Sequence, residues 1–67
     1  MAPNYQKVNI PFKAKDLVSA RKKAGLTQHE LAALTGLNQA YIAYIEKGRV
    51  KSIRKQTKDK ILKIIQF

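Results

Sequence analysis

The sequence predicts an all-α fold, a small bundle of four to five helices. Its three glycines, Gly25, Gly36 and Gly48, separate segments in which apolar residues recur at helical spacing, and glycine is typical of the residue that follows a helix. Thr27 and Glu30 have the spacing of a capping box, which opens a helix. These features predict helices near residues 13–24, 28–35, 39–47 and 54–65.

Residues 1–12 differ from the rest of the chain because they contain both prolines. Tyr5, Val8 and Ile10 stand among polar residues, a weak alternation that is typical of an extended segment. Pro11 disfavours helix in the preceding residue and suits the first turn of a following helix. We therefore expect an N-terminal arm or short extended segment over residues 1–12 and a folded domain over residues 13–67. A loose tail that covers part of the core is the alternative interpretation of the arm.

Two predicted helices joined by a tight turn occupy residues 27–48. Gly36 can adopt a left-handed backbone conformation, so the chain can reverse there, and Asn38 can cap the second of the two helices. On the first of them, Leu31, Ala32 and Leu34 form the apolar side. On the second, Ile42 and Ile45 face inward. The outward face of the second helix consists of Ala40, Ala43, Tyr44 and Lys47, flanked by Gln39 and Tyr41. Such a face suits insertion into a groove better than burial in a core.

The net charge is extreme for so short a chain. Fourteen Lys and Arg residues stand against four Asp and Glu residues, which gives +10 over 67 residues. A polyanion, and nucleic acid above all, is the partner that this charge favours. A basic surface that merely keeps the protein in solution is the alternative, but acidic residues would serve that purpose at least as well.

The sequence contains few residues of the types that catalyse reactions. There is no cysteine, one histidine and no convincing acid–base pair among the four carboxylates, and no glycine-rich loop could hold a nucleotide. We expect no enzyme, no metal site, no cofactor and no small-molecule substrate, and we expect His29 at the surface of the second helix. Because there is no membrane-spanning run, signal-peptide pattern or cysteine, we expect a cytoplasmic protein.

One basic and one acidic residue fall on otherwise apolar helix faces. Arg21 shares a face with Leu17 in the first helix, and Glu46 lies beside Ile42 in the third. Because an isolated buried charge is costly, we expect Arg21 and Glu46 to pair. The alternative is that both side chains extend to solvent.

Residues 17–48 resemble the helix-turn-helix of the Cro and phage-repressor (XRE) class of DNA-binding proteins, with weaker similarity to about residue 65. The residues that carry the resemblance are Gln28, Ala32, Gly36, Ile42 and the run 45–48. The resemblance implies a lambda-repressor-like fold, double-stranded DNA as the partner, and a recognition helix over residues 39–47 in the major groove. It also implies that Arg21 and Glu46 link the first helix to the end of the recognition helix.

The predicted contacts with DNA fall into two groups. Base contacts are expected from the outward face of the recognition helix, namely Gln39, Ala40, Ala43 and Tyr44. Phosphate contacts are expected from helix starts and from the basic segment that follows, namely Gln28, Asn38, Tyr41, Lys47, Arg49, Lys51 and Arg54. For Gln28, Gln39 and Ala40, the resemblance implies the same roles.

Two functions remain open at this point. The first is a sequence-specific transcription regulator, a repressor of phage, plasmid or mobile-element type, binding paired half-sites as a homodimer. The second is a protein-interaction module, such as an antitoxin or the partner of an anti-repressor, in which Ile64, Ile65 and Phe67 contact a protein. Many members of the class have a fifth helix, whereas this sequence ends at Phe67, so the dimer contact is an open question. In the last helix we expect Ser52 or Thr57 as the cap, and a core-facing stripe of Ile61, Ile64 and Ile65.

Overall fold

The computed structural model describes residues 9–67, which form four helices and one short antiparallel sheet. In chain order the elements are β1 (Asn9–Pro11), α1 (Ala14–Lys23), α2 (Gln28–Thr35), α3 (Gln39–Glu46), β2 (Ser52–Arg54) and α4 (Lys55–Leu62). Helix α3 packs against both α2 and α1, and α4 packs against α2 and the sheet. None of the four helices is long and apolar enough to cross a membrane.

The expected all-α class needs one correction, because β1 and β2 pair. Ile10 lies opposite Ile53 in this sheet, and the Phe12 amide donates to the Lys51 carbonyl at 3.2 Å. Ile53 is buried, so the sheet closes one side of the core. The extended segment expected before Asn9, with Tyr5 and Val8, lies outside the described residues.

The last helix is shorter than the predicted 54–65. It begins at Lys55 without a side-chain cap, so neither Ser52 nor Thr57 caps it, and it ends at Leu62. The Ile64 amide then donates to the Ile61 carbonyl at 2.9 Å, which tightens the turn. Beyond the end of the helix Ile64 is 37% exposed, while Ile61 and Ile65 are buried as expected.

Side-chain caps fix the starts of α2 and α3. Thr27 Oγ1 accepts from the Glu30 amide at 3.0 Å, and Glu30 Oε1 accepts from the Thr27 amide at 2.9 Å, which completes the predicted capping box. Asn38 Oδ1 accepts from the Ala40 amide at 2.7 Å. Between the two helices, Gly36 has φ +74°, the left-handed conformation that the turn requires. The two starts determine which residues of α3 face outward.

The core is formed by large aliphatic side chains from every helix and from β2. The fully buried members are Leu17, Leu31, Ile42, Ile45 and Ile61. Leu34 was expected on the apolar side of α2 but is 56% exposed. Position 35 continues that side instead, since the buried Thr35 hydroxyl donates to the Leu31 carbonyl at 2.8 Å and so is not left unpaired.

A nearly buried ion pair joins three helices. Arg21 Nε donates to Glu46 Oε2 at 2.6 Å and Nη2 donates to Oε1 at 3.0 Å, with side-chain exposures of 11% and 5%. Arg21 Nη1 donates to the Leu26 carbonyl at 2.8 Å, and Gln28 Nε2 donates to Glu46 Oε1 at 3.0 Å. The hydrogen bond with Glu46 raises the pKa of Arg21 above its ordinary value, against the opposing effect of burial. The pair therefore fixes the end of α3 against α1 and the start of α2.

Removing either partner of this pair should strongly destabilise the protein. Arg21→Ala and Glu46→Ala are each expected to lower the free energy of unfolding by about 3–5 kcal/mol, because each leaves a buried charge uncompensated. The double variant should lose less than the sum of the two. Urea unfolding of the three variants measures this. Asp59→Ala is the control, because the Asp59–Lys55 pair is about half exposed and should contribute below about 1 kcal/mol. Single variants with the same free energy of unfolding as the wild type would contradict the expectation.

The capping box should make the stability of the protein depend on pH in the acidic range. Hydrogen bonds from the Thr27 backbone and then its side chain lower the pKa of Glu30 from its ordinary 4.5. The pKa of Glu30 is lower in the folded than in the unfolded protein. Ionised Glu30 therefore contributes fully to stability at a pH above its unfolded pKa, and this contribution is lost as the pH falls through its folded pKa. Glu30→Gln keeps a capping oxygen but does not titrate. Between about pH 6 and about pH 3, the melting temperature of Glu30→Gln should therefore fall less than that of the wild type. Equal decreases would show that Glu30 does not carry this pH dependence.

Candidate nucleic-acid interface

Helix α3 is held by one face and exposed on the other. Ile42 and Ile45 are fully buried, whereas Gln39 and Ala40 are exposed and Tyr44 is 48% exposed. Ala43, also predicted to contact bases, is half-buried at the edge of this face. The two isoleucines thus anchor the helix, while an amide, small side chains and a tyrosine are presented to solvent.

The starts of α2 and α3 offer backbone donors. The first amides of a helix have no acceptor within it, and the helix dipole makes this end positive. The amides of Gln28 and Gln39 occupy the first position of α2 and of α3. An anion placed at either start would find an N–H group directed toward it. Since Asn38 Oδ1 already caps α3, the remaining polar group of the exposed Asn38 side chain is its Nδ2 donor.

The side chain of Gln28, which we expected to contact phosphate, is directed toward the inside of the protein. It is half-buried, and its Nε2 donates to Glu46 at 3.0 Å. One Nε2 hydrogen and the backbone amide remain for an anion. The sequence alone did not indicate this bond, because it joins residues 18 positions apart.

Basic side chains continue the exposed surface beyond α3. Lys47 is the C-cap of α3, and Gly48, with φ +76°, turns the chain into the segment that carries the exposed Arg49 and Lys51. Arg54, also exposed, ends β2 opposite Asn9. The Gly48 amide bond to the Ile45 carbonyl and the Lys51 carbonyl bond to Phe12 hold both ends of this segment.

Tyr41 faces the core more than expected. Its side chain is half-buried and packs against the hydrophobic cluster. The phenol oxygen is the one polar atom of this side chain that a phosphate could meet. The expected contact therefore depends on that oxygen reaching the edge of the surface.

A second stretch of basic surface was missed from the sequence. An open groove of about 600 Å³ between α1 and the end of α3 is lined by Lys15, Lys22 and Lys47. Lys15 and Lys22 are both exposed and lie seven residues apart, which places them on one face of α1. Helical spacing could have shown this common face, but only the packing of α1 on α3 shows that it adjoins Lys47.

His29 and Gln39 also meet, which the sequence did not indicate. His29 Nδ1 lies 3.3 Å from Gln39 Oε1, and both residues are exposed. Among residues 9–67, no group of three or more His, Cys, Asp and Glu side chains is placed to hold a metal ion. The contact of His29 with Gln39 joins two polar side chains at the N-terminal end of α3.

One of three comparisons with known proteins gives a match. The model of a family described as helix-turn-helix matches residues 17–67, more than half of the chain. No curated protein and no solved structure gives a match. The chain therefore belongs to the helix-turn-helix family of the Cro and phage-repressor (XRE) type, which is a family of DNA-binding proteins.

Proposed function

We propose that this protein is a sequence-specific regulator of transcription that binds double-stranded DNA, a repressor of phage, plasmid or mobile-element type acting in the cytoplasm. The observation that supports it most is the exposed face of α3, which is anchored by Ile42 and Ile45 and bordered by exposed basic residues. An α-helix about 10–12 Å wide fits the major groove, which is about 12 Å wide. In this proposal α3 is the recognition helix, residues 13–67 carry the binding surface, and residues 1–12 are the N-terminal segment, of which Asn9–Pro11 pairs with β2.

Base reading falls to the exposed face of α3. The Gln39 amide can donate to N7 of adenine and accept from N6, a paired contact worth about 1–3 kcal/mol of discrimination. Ala40 and Tyr44 can meet a thymine methyl group, and Ala43 lies at the edge of the same face. This assignment follows from exposure and from the position of Gln39 in the first turn of α3.

Phosphate binding falls to the residues around that face. The amides that start α2 and α3 fix the pose, and cations replace the counterions of the DNA backbone. The residues assigned to phosphate are Gln28, Asn38, Tyr41, Lys47, Arg49, Lys51 and Arg54, to which the groove adds Lys15 and Lys22.

Two copies would act together in this proposal. One recognition helix contacts too few base pairs to specify a site in a genome, since each wrong pair costs only about 1–3 kcal/mol. A homodimer on paired half-sites doubles the number of positions read. Selection of bound duplexes from a random pool would show the half-site sequence and its spacing.

Gln39→Ala and Arg49→Ala should have different effects on binding. Gln39→Ala should reduce preference at one or two positions of the selected site by about 1–3 kcal/mol and leave affinity for a scrambled duplex nearly unchanged. Arg49→Ala should weaken binding to every duplex and lower the slope of log affinity against log salt by about 1. Titrations of both duplexes at several salt concentrations measure the difference.

Matched controls are available at the far end of the chain. Gln66 and Lys63 are exposed, and Gln66 lies beside Lys23 and Ala24 rather than beside α3. Gln66→Ala should keep the site preference, and Lys63→Ala, which removes the same charge as Arg49→Ala, should reduce binding less. If Gln39→Ala lowers affinity for both duplexes equally, α3 does not read bases, and the protein-interaction module becomes the better proposal.

A further inference from the structure

The first turn of α2 makes two different contacts with α3. Gln28 is directed toward the inner ion pair, since its Nε2 donates to Glu46 at 3.0 Å. The next residue, His29, is directed toward the opposite end of α3, with Nδ1 at 3.3 Å from Gln39 Oε1. Gln28 is thus already engaged, and His29 is the side chain that meets the Gln39 amide.

The roles of the two atoms in this contact depend on which ring nitrogen of His29 carries the proton. An amide oxygen can only accept a hydrogen bond, so a bond between these two atoms requires the proton on Nδ1. With Oε1 held in this way, the Nε2 group of Gln39 is the other branch of the same planar amide and is free to donate elsewhere. The flipped amide would place its own N–H groups against the N–H of this tautomer, which is unfavourable, and would fit only the tautomer protonated at Nε2.

We propose that His29 is a positioning residue that fixes the orientation of the Gln39 amide and thereby makes it select adenine over guanine. This inference rests on the proposed function, in which Gln39 reads a base. Adenine offers an acceptor at N7 and a donor at N6, which match the Nε2 donor and the second lone pair of Oε1. Guanine offers acceptors at both N7 and O6, so it would face Oε1 with another acceptor. An amide that can rotate freely could turn its N–H groups to guanine, whereas rotation of the amide held by His29 breaks the hydrogen bond to Nδ1.

A different role for His29 would be a direct phosphate contact, because it is exposed in the first turn of a helix. The two roles have different consequences. A phosphate contact contributes to every duplex alike, whereas orientation of Gln39 changes only the base preference at the position that Gln39 reads.

The first test needs no DNA. His29 is the one histidine of the chain, so nitrogen-15 NMR of the neutral ring reports its tautomer without overlap. The wild type should show mainly the form protonated at Nδ1, and Gln39→Ala should shift the equilibrium toward the form protonated at Nε2. The same tautomer populations in both proteins would overturn the inference.

The second test measures affinity for two duplexes that differ, adenine or guanine, at the position identified by Gln39→Ala. His29→Ala should lower the preference for adenine about fivefold, near the lower limit for one base contact. His29→Asn, whose amide N–H can replace that of Nδ1, should restore most of the preference. In the Gln39→Ala background, His29→Ala should have no further effect on this ratio.

The outcomes separate the inference from the function on which it rests. If Gln39→Ala changes the preference at a position and His29→Ala does not, His29 does not position Gln39 and the proposed function stands. If His29→Ala weakens both duplexes equally, His29 contacts phosphate and the inference is overturned. If Gln39→Ala changes the preference at no position, the proposed base reading fails, and the inference fails with it.

Discussion

The ion pair between Arg21 and Glu46 is the interaction on which the arrangement of the helices depends. Its two side chains are almost fully buried, so their lost hydration must be replaced by protein contacts. The structure supplies two bonds between the partners, one to the Leu26 carbonyl and one from Gln28. Because these groups come from α1, from the turn after it, from α2 and from α3, the pair can form only when all of them are in place. It therefore specifies the packing of α3 as well as stabilising it.

Most acidic residues of the chain, like Glu46, make contacts within the protein, and this contributes to its positive surface. Glu46 pairs inside the protein, Glu30 completes the cap of α2, and Asp59 pairs with Lys55. Three of the four carboxylates of the chain are thus committed to local structure. Few carboxylates therefore remain to lower the net positive charge of the surface, and a positive charge of this size favours a polyanion as the partner.

The sequence predicted the elements that have local signals. The predicted helices 13–24, 28–35 and 39–47 agree with α1, α2 and α3 to within one residue at each end, because glycines and caps mark helix ends within a few residues. The sheet has no such signal, since its three-residue strands are stable only together and Asn9 pairs with a residue as distant as Arg54. Ile64 was assigned to the core because its spacing fits a helix, but α4 ends at Leu62, and of the two isoleucines that follow it only Ile65 is buried.

The candidate site shows the same limit at the level of single side chains. Periodicity predicted the outward face of α3, but it could not show that Gln28 and His29, which are adjacent in sequence, reach opposite ends of that helix. A helix of eight residues is about 12 Å long, so the first turn of α2 lies across α3 and contacts it near both termini. The start of α2 is also where backbone amides would meet phosphate. In the proposed function, one turn would therefore set both the contact with the DNA backbone and the orientation of Gln39, and a shift of that turn would move the Gln39 amide with it.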